Sequence, residues 1–171
     1  MVLPKVILAG SALIAILAAG AFAHEVFIRT SVPGYGGYKG CMASHASDEF
    51  LFGVGEVENS GAQDIELVAI EPLRVRGLEV IDVTVPATKG IGILDVTESV
   101  MTEYELGPVA GMVIAPGDSV EIVAQLKTLE RLSYATDFEI TYTNAYGVRL
   151  TSVITNIVGF SPVNSDLTCG P

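Results

Sequence analysis

Hydrophobic residues alternate with polar or small residues through most of the chain after residue 48, and this period of two limits the fold more than any other feature. Side chains of a β-strand point alternately to opposite faces, so the alternation predicts strands that bury one face. A further apolar run from Leu78 to Val85 predicts another strand. The alternating residues expected to face a core are Phe50, Phe52 and Val54; Ile65, Leu67 and Ala69; Val120, Ile122, Ala124 and Leu126; Phe138, Ile140 and Tyr142; and Val148, Leu150 and Ser152.

Turn-forming residues separate these runs. Asn59-Ser60-Gly61 follows the first run, Ala115-Pro116-Gly117-Asp118 opens a later one, and Asn144-Ala145-Tyr146-Gly147 divides the last two. Asn, Gly and Pro favour tight turns, and Gly147 stands where a type I turn is followed by a left-handed residue. Six or seven short strands without an amphipathic helix predict an all-β antiparallel sandwich of the immunoglobulin or fibronectin type III kind.

Residues 89–112 are the least readable part of this pattern. Short apolar pieces stand there among glycines and acidic residues, which indicates one strand and a long crossing connection. An apolar segment poor in strands is where we look first for a partner surface. The alternative is a connection packed on the core of the domain.

The N-terminus carries an uncharged apolar run that begins at Val6 and ends at Ala23, preceded by Lys5. Its length suits a short transmembrane helix as well as the apolar region of a signal peptide. Ala21 and Ala23 are the small residues that signal peptidase accepts, so cleavage is expected before His24 if it occurs. We therefore predict an N-terminal hydrophobic helix, with the rest of the chain outside the cytoplasm whether the protein is membrane-anchored or secreted.

The expected organisation along the chain has four parts. Glycine and proline are frequent in residues 33–40, where they disfavour both helix and strand and indicate a flexible connection. The predicted parts are a signal peptide or single transmembrane anchor (1–23), a flexible stalk (24–40), a sandwich domain (41–160) and a C-terminal tail (161–171).

The chain contains two cysteines, Cys41 and Cys169, both in the exported part. An even number of cysteines in an oxidising compartment predicts a disulfide, with free thiols or a link to a partner as the alternatives. The two cysteines flank the predicted sandwich, and the chain has no tryptophan. They therefore do not have the usual role of an immunoglobulin disulfide, which bridges the two sheets beside a buried tryptophan.

Composition argues against several classes of function. A net charge of −11 with only nine lysines and arginines disfavours nucleic acid and anionic lipid surfaces as partners. The chain has two histidines and no Gly-x-Ser-x-Gly elbow, which leaves little for a Ser-His-Asp system. Its many carboxylates include no pair marked as catalytic, so we assign no catalytic residues and expect a protein that is not an enzyme.

Several segments together resemble a known group of envelope proteins. These are the apolar N-terminus, Cys41 just before the first predicted strand, the Asn59 turn, the Leu78 strand, Ala115-Pro-Gly-Asp-Ser119 and Phe138-Glu-Ile-Thr-Tyr142. Over residues 41–160 the chain is similar to membrane-anchored or secreted immunoglobulin-like or fibronectin-like sandwich proteins of actinobacteria. The resemblance implies a fold and a location at the cell envelope, but no activity. The expected function is a non-enzymatic extracytoplasmic module that binds an envelope protein or has a structural role.

Copper binding is the alternative function. Cleavage before His24 would give the mature chain a free amine next to an imidazole, a pair that can chelate copper, with His45 as a candidate third ligand. The segment His24-Glu-Val-Phe-Ile-Arg-Thr-Ser31-Val-Pro33 is similar to the start of periplasmic copper-binding CopC-like domains. Those domains add an Asp-x-His pair late in the chain, which this sequence lacks. Apart from copper, no cofactor is expected.

Overall fold

The computed structural model of the protein describes residues 29–31, 39–43, 48–87 and 90–161. In these ranges the chain forms eleven strands and one short helix. The elements are β1 (Arg29–Ser31), β2 (Lys39–Ala43), β3 (Glu49–Glu58), β4 (Ile65–Arg76), β5 (Leu78–Pro86), β6 (Ile93–Asp95), α1 (Glu98–Glu103), β7 (Leu106–Pro108), β8 (Val113–Ile114), β9 (Ser119–Thr128), β10 (Ser133–Asn144) and β11 (Arg149–Ser161).

The strands form two sheets that pack face to face. One sheet has the order β1-β3-β9-β5-β7, with β6 also paired to β3, and the other has the order β2-β11-β10-β4-β8. Every described pair is antiparallel except β2 with β11. If the six long strands are lettered B to G in chain order, the sheets contain B-E-D and G-F-C, as in an immunoglobulin domain. The predicted all-β immunoglobulin-like sandwich is confirmed, while the predicted N-terminal helix lies outside the described residues.

Strand pairing begins earlier in the chain than residue 41. β1 pairs with Glu56, Val57 and Glu58 of β3, and β2 begins at Lys39 beside β11. Parts of the segment 24–40, predicted as a flexible stalk, therefore belong to the sheets, because an extended backbone beside an open strand edge can pair whatever its strand propensity. The rest of that segment and the predicted tail after Ser161 lie outside the described residues.

The core lies between the sheets and is built from the alternating residues. Phe50 and Phe138, from opposite sheets, are completely buried. Phe50 also meets Phe160 of β11 edge to face, with 4.3 Å between ring centroids, so an aromatic pair joins the two layers. Tyr142 is 4 % exposed, and its burial raises the pKa of the phenol. Each such side chain contributes roughly 1.5–3 kcal/mol by leaving water.

Two predicted core residues do not reach the core. The ladder between β4 and β10 shifts register beside Thr141, so Ala69 is only half-buried and Ile70 faces the core instead. Val148 belongs to the turn before β11 and is exposed, whereas Ile154 and Val158, further along β11, are buried. Bulges change which face a side chain points to, and strict alternation therefore misplaces residues next to them.

The three predicted turns are confirmed. Asn59 is buried, and its side chain donates to Gln63 O and Ile114 O at 2.8 Å each. The carboxamide oxygen of Asn144 accepts from the backbone N–H groups of Tyr146 and Val148, and Gly147 has a positive φ of 73°. These side chains satisfy backbone groups that a tight turn leaves without partners in the ladder.

Residues 90–106 cover the outer face of the first sheet. Leu51 and Val123 point away from the main core and are nevertheless fully buried, because the chain packs over them. The residues that cover them are Ile91, Leu94, Val96, Val100, Tyr104 and Leu106. The apolar pieces that made residues 89–112 the first place to look for a partner surface are thus largely used within the chain, which matches the packed connection kept as the alternative.

A glycine and a buried carboxylate hold this cover in place. Gly53 N donates to Gly92 O at 2.8 Å, and a Cβ on Gly53 would lie 2.0 Å from Ile91 O. Glu121, only 4 % exposed, accepts from Gly90 N at 2.5 Å and Ile91 N at 2.9 Å. The carboxylate thereby satisfies two backbone donors of a segment that has no ladder partner there.

Gly77 allows the chain to change sheets within one residue. It stands alone between β4 and β5, which belong to different sheets, and has a φ of +61°. Its carbonyl accepts from Leu129 N at 2.8 Å and Glu130 N at 3.2 Å, which joins this corner to the β9–β10 connection. A Cβ on Gly77 would lie 2.9 Å from both Leu132 O and the Glu130 Cβ.

We expect Gly77→Ala to destabilise the domain through both backbone strain and overpacking. The matched control is Gly147→Ala, which has a similar positive φ of 73° but no atom within 4 Å of the added Cβ. The control should cost about 1–2 kcal/mol for the left-handed conformation, and Gly77→Ala roughly 1–3 kcal/mol more for the crowding. Urea unfolding of both variants measures the difference, and equal losses would contradict the close packing of the corner.

Candidate functional site

The two lateral sides of the sandwich differ, and on one of them described strands cover the edge of β3. β1 and β6 both pair with the outer edge of β3. A bulge leaves Val54 without a partner in the β3–β9 ladder, and its carbonyl accepts a 2.8 Å hydrogen bond from Nδ2 of Asn156 in the opposite sheet. Asn156 is 3 % exposed, so this bond joins the sheets in a dry environment.

On the opposite lateral side, the described strands leave long parts of two edges unpaired. β8 pairs with only Ile65 and Glu66 of β4, and the backbone of Leu67 bonds to Met112 O and Gly111 N. Beyond Leu67, none of the described strands pairs with the outer edge of β4. β5 has a similar edge, since β7 covers it only at Thr84 to Pro86. Unpaired strand edges are templates on which another chain can form a further strand.

A cleft of about 500 Å³ lies between these two edges. It is lined by residues 68–71 of β4, 82–84 of β5 and the segment 106–110 that includes β7. The cleft therefore lies where the two sheets separate beyond Gly77. The segment that follows α1 does not extend far enough along β5 to fill the space between them. Clefts of this size are typical of sites that bind a small molecule or a few residues of a peptide.

The lining combines apolar surface with negative charge. Val68, Ile70 and Val83 are among the apolar residues, and Glu71 and Asp82 supply two carboxylates, while no lysine or arginine lines the cleft. Asp82 uses one oxygen to accept from the backbone N–H of Val83 at 2.8 Å. A cationic group bound in the cleft would displace water from the two carboxylates and form charge-assisted hydrogen bonds with them.

Glu71 carries a second negative neighbour. Its direct partner across the β4–β10 ladder is Glu139, and both residues point away from the core. Like charges opposite each other in a sheet repel and destabilise the pair. The arrangement favours a bound cation at this place, since a positive charge between the two glutamates would remove the repulsion.

Beyond Glu71, the end of β4 has a different chemistry. Leu73 is 51 % exposed and Val75 is 42 % exposed, and they alternate with the exposed Arg74 and Arg76. The β9–β10 connection reaches the same corner through its hydrogen bonds to Gly77 O, and brings the exposed Leu129, Arg131 and Leu132. Exposed aliphatic residues grouped in one place and flanked by charges are typical of an interaction surface.

The residues predicted from the sequence to form a site fall elsewhere. Cys41 lies on β2 opposite Gly159 of β11. Its predicted disulfide partner Cys169, the candidate copper ligands His24 and His45, and the membrane segment from Val6 to Ala23 lie outside the described residues, so the disulfide, the copper site and the anchor remain predictions. In the part of the chain that is described, no helix is long and apolar enough to cross a membrane, and no three His, Cys, Asp or Glu side chains are grouped as metal ligands.

Sequence reasoning missed the open edge of β4, although a signal for it was present. The run from Ile65 was predicted to extend only to Ala69, whereas β4 continues to Arg76 through Pro72. A proline inside a strand indicates a sheet edge, because the ring removes the N–H that a neighbouring strand would need. The alternation of Leu73, Arg74, Val75 and Arg76 marks the same edge.

Comparisons with known proteins do not identify a family for this chain. No protein-family model matches the chain, and no curated protein matches it significantly. Among solved structures, an ASH / PapD-like domain of human CEP192 (PapD-like domain 7) aligns with 84 % of this chain and 88 % of its own length, at 12 % identity and a TM-score of 0.35. So loose an alignment identifies no family, and the similarity to actinobacterial envelope proteins remains a prediction.

We expect the repulsion between Glu71 and Glu139 to be measurable in the unliganded protein. Glu71→Gln should stabilise the domain by about 0.2–1 kcal/mol, the range for a cross-strand pair. Glu66→Gln is the matched control, since Glu66 is also exposed on β4 but lies opposite Thr143. Thermal unfolding at low and high salt measures both variants, and the gain for Glu71→Gln should shrink as salt screens the charges. No gain at low salt would contradict the repulsion.

Proposed function

We propose that the protein is a non-enzymatic binding module of the cell envelope that holds a partner protein at the open side of its sandwich. The observation that carries the proposal is the cleft of about 500 Å³ between the unpaired edges of β4 and β5. Short strands could cover the edge of β4 as β1 and β6 cover the edge of β3. An unpaired strand edge exposes the protein to aggregation. The presence of such an edge in spite of this risk favours a role in binding a partner.

The chemistry of the cleft favours binding over catalysis. The lining offers two carboxylates, one threonine and otherwise apolar or small residues. The hydroxyl of Thr84 donates towards Val123 O at 3.5 Å, within its own sheet. A nucleophile with a base beside it, the minimal requirement for covalent catalysis, is not found among these lining residues.

The envelope location rests on the sequence. The apolar run that ends at Ala23 directs the chain to a membrane whether it is cleaved or retained. Cys41 and Cys169 suit an oxidising compartment, where a disulfide between them would close a loop around nearly the whole sandwich. In such a location, the module would meet other envelope proteins rather than nucleic acid, which its charge of −11 would repel.

Photocrosslinking in intact cells tests the proposal. A photoreactive residue is placed at Ala110, which is exposed and lines the cleft, or at Thr155, which is exposed on β11 away from it. We expect one discrete protein adduct from position 110 and none of that size from position 155. Protease treatment of intact cells should also remove the domain, since the proposal places it outside the cytoplasm. The same adducts from both positions, or none from position 110, would contradict the binding role of the cleft.

A further inference from the structure

The outer edge of β4 already shows how it accepts a strand. β8 pairs antiparallel with its first residues, and Met112 and Gly111 extend the bonding to Leu67. From residue 68 to residue 76 the same edge continues without a described strand partner, over about 30 Å at roughly 3.3 Å per residue. A further strand placed there would continue the path of β8 along the mouth of the cleft.

Pro72 fits this edge. It lies within β4 opposite Phe138 of β10, and the ladder continues on both sides of it. A proline is tolerated inside a strand where its missing N–H faces an unpaired side. The added strand therefore lacks one hydrogen bond at Pro72, and its affinity must come from the bonds on both sides and from side-chain contacts.

Charge is distributed unevenly along this edge. At the β8 end stand Glu71 and, across the cleft, Asp82. At the Gly77 end stand Arg74 and Arg76, both exposed. The aliphatic residues Leu73 and Val75 alternate with these arginines, and the exposed Leu129, Arg131 and Leu132 adjoin the same end.

We propose that an extended segment of the partner protein adds to β4 as an antiparallel strand along residues 68–76. Antiparallel pairing is expected because both neighbours of β4 pair with it in that way and because it is slightly more stable per residue. An antiparallel strand starts beside Arg76, passes Glu71 and ends beside Val68. The segment is therefore acidic in its N-terminal part, aliphatic at alternate positions, and basic in its C-terminal part.

This inference deepens the proposed function and rests on it, because it names what the open side binds. The backbone bonds of an added strand provide affinity with little dependence on sequence, and the side chains provide specificity. The reversed order of charges would place lysines against Arg74 and Arg76 and a glutamate against Glu71. Such a segment binds more weakly, because like charges repel it from the edge and the favourable charge pairs are lost.

The test uses the full-length chain in lipid nanodiscs and a fluorescent nine-residue peptide, Glu-Val-Glu-Val-Thr-Lys-Val-Lys-Val, with blocked ends. In antiparallel register its glutamates lie opposite Arg76 and Arg74 and its first lysine opposite Glu71. Fluorescence anisotropy should show saturable binding. The charge-reversed peptide, Lys-Val-Lys-Val-Thr-Glu-Val-Glu-Val, should bind at least about tenfold more weakly, which corresponds to about 1.4 kcal/mol spread over several charge pairs. N-methylation of one alternate set of peptide nitrogens should abolish binding, and N-methylation of the other set should not.

A charge exchange in the protein provides the control for specificity. The double variant Glu71→Lys with Arg76→Glu changes two exposed side chains and should prefer the reversed peptide. Unfolding midpoints confirm that the variant is folded. Equal binding of both peptides to both proteins, or insensitivity to both patterns of N-methylation, would overturn the strand addition.

The outcomes separate this inference from the proposed function. If neither peptide binds but the adduct at position 110 persists in cells, the module binds its partner in another way, and the strand addition is wrong. If the adduct is also absent, the proposed function fails. A dimer in sedimentation that the peptide does not dissociate would assign the edge to a second copy of this chain and overturn the partner segment.

Discussion

Backbone hydrogen bonding at the edges of the strands is the constraint on which the rest of this sandwich depends. Every N–H and C=O at an edge needs a partner or water, and the molecule meets that requirement differently on its two sides. On one side, β1 and β6 share the edge of β3, and Asn156 satisfies the carbonyl that the bulge at Val54 leaves open. On the other side, β7 and β8 are too short to cover β5 and β4. The cleft is the space that remains.

The cover over the first sheet explains why the edge of β3 is paired more completely than the edge of β5. After β5 the chain crosses the outer face of the sheet, adds β6 to the edge of β3, and returns through α1 to β7. Gly53 and Glu121 make this path possible. Gly53 allows the backbone of Ile91 to approach closely, and Glu121 accepts hydrogen bonds from two backbone N–H groups. Much of the segment between β5 and β7 packs over Leu51 and Val123. The part that returns to β5 pairs with it at only three positions.

The sequence supports the fold class well because alternation is a local property. Runs such as Phe138, Ile140 and Tyr142 face the core as predicted, and Asn144 and Gly147 form the expected turn. Bulges are harder to foresee, because the extra residue beside Thr141 changes which of Ala69 and Ile70 is buried without altering the composition of the run. The same holds for Gly77, since a single residue decides that β4 and β5 belong to different sheets.

The candidate site was beyond sequence reasoning for a different reason. A cleft between two edges is defined by strands that fail to pair, and pairing depends on the whole topology rather than on any local pattern. Pro72 indicated an edge, but nothing near it in the sequence showed that Asp82 and residues 106–110 would form the opposite wall. The acidic residues Glu71 and Asp82 looked like ordinary surface charges until the fold placed them at the same opening.

Amide hydrogen exchange along β4 and β3 tests most directly the claim that the outer edge of β4 is open and that of β3 is covered. In the unliganded protein, alternate amides of β4 beyond Leu67 should exchange on the order of 100-fold faster than those of β3, because only one edge of β4 is paired along that stretch. Uniformly slow exchange along the whole of β4, as slow as in β3, would show that its outer edge is covered and would contradict the open side.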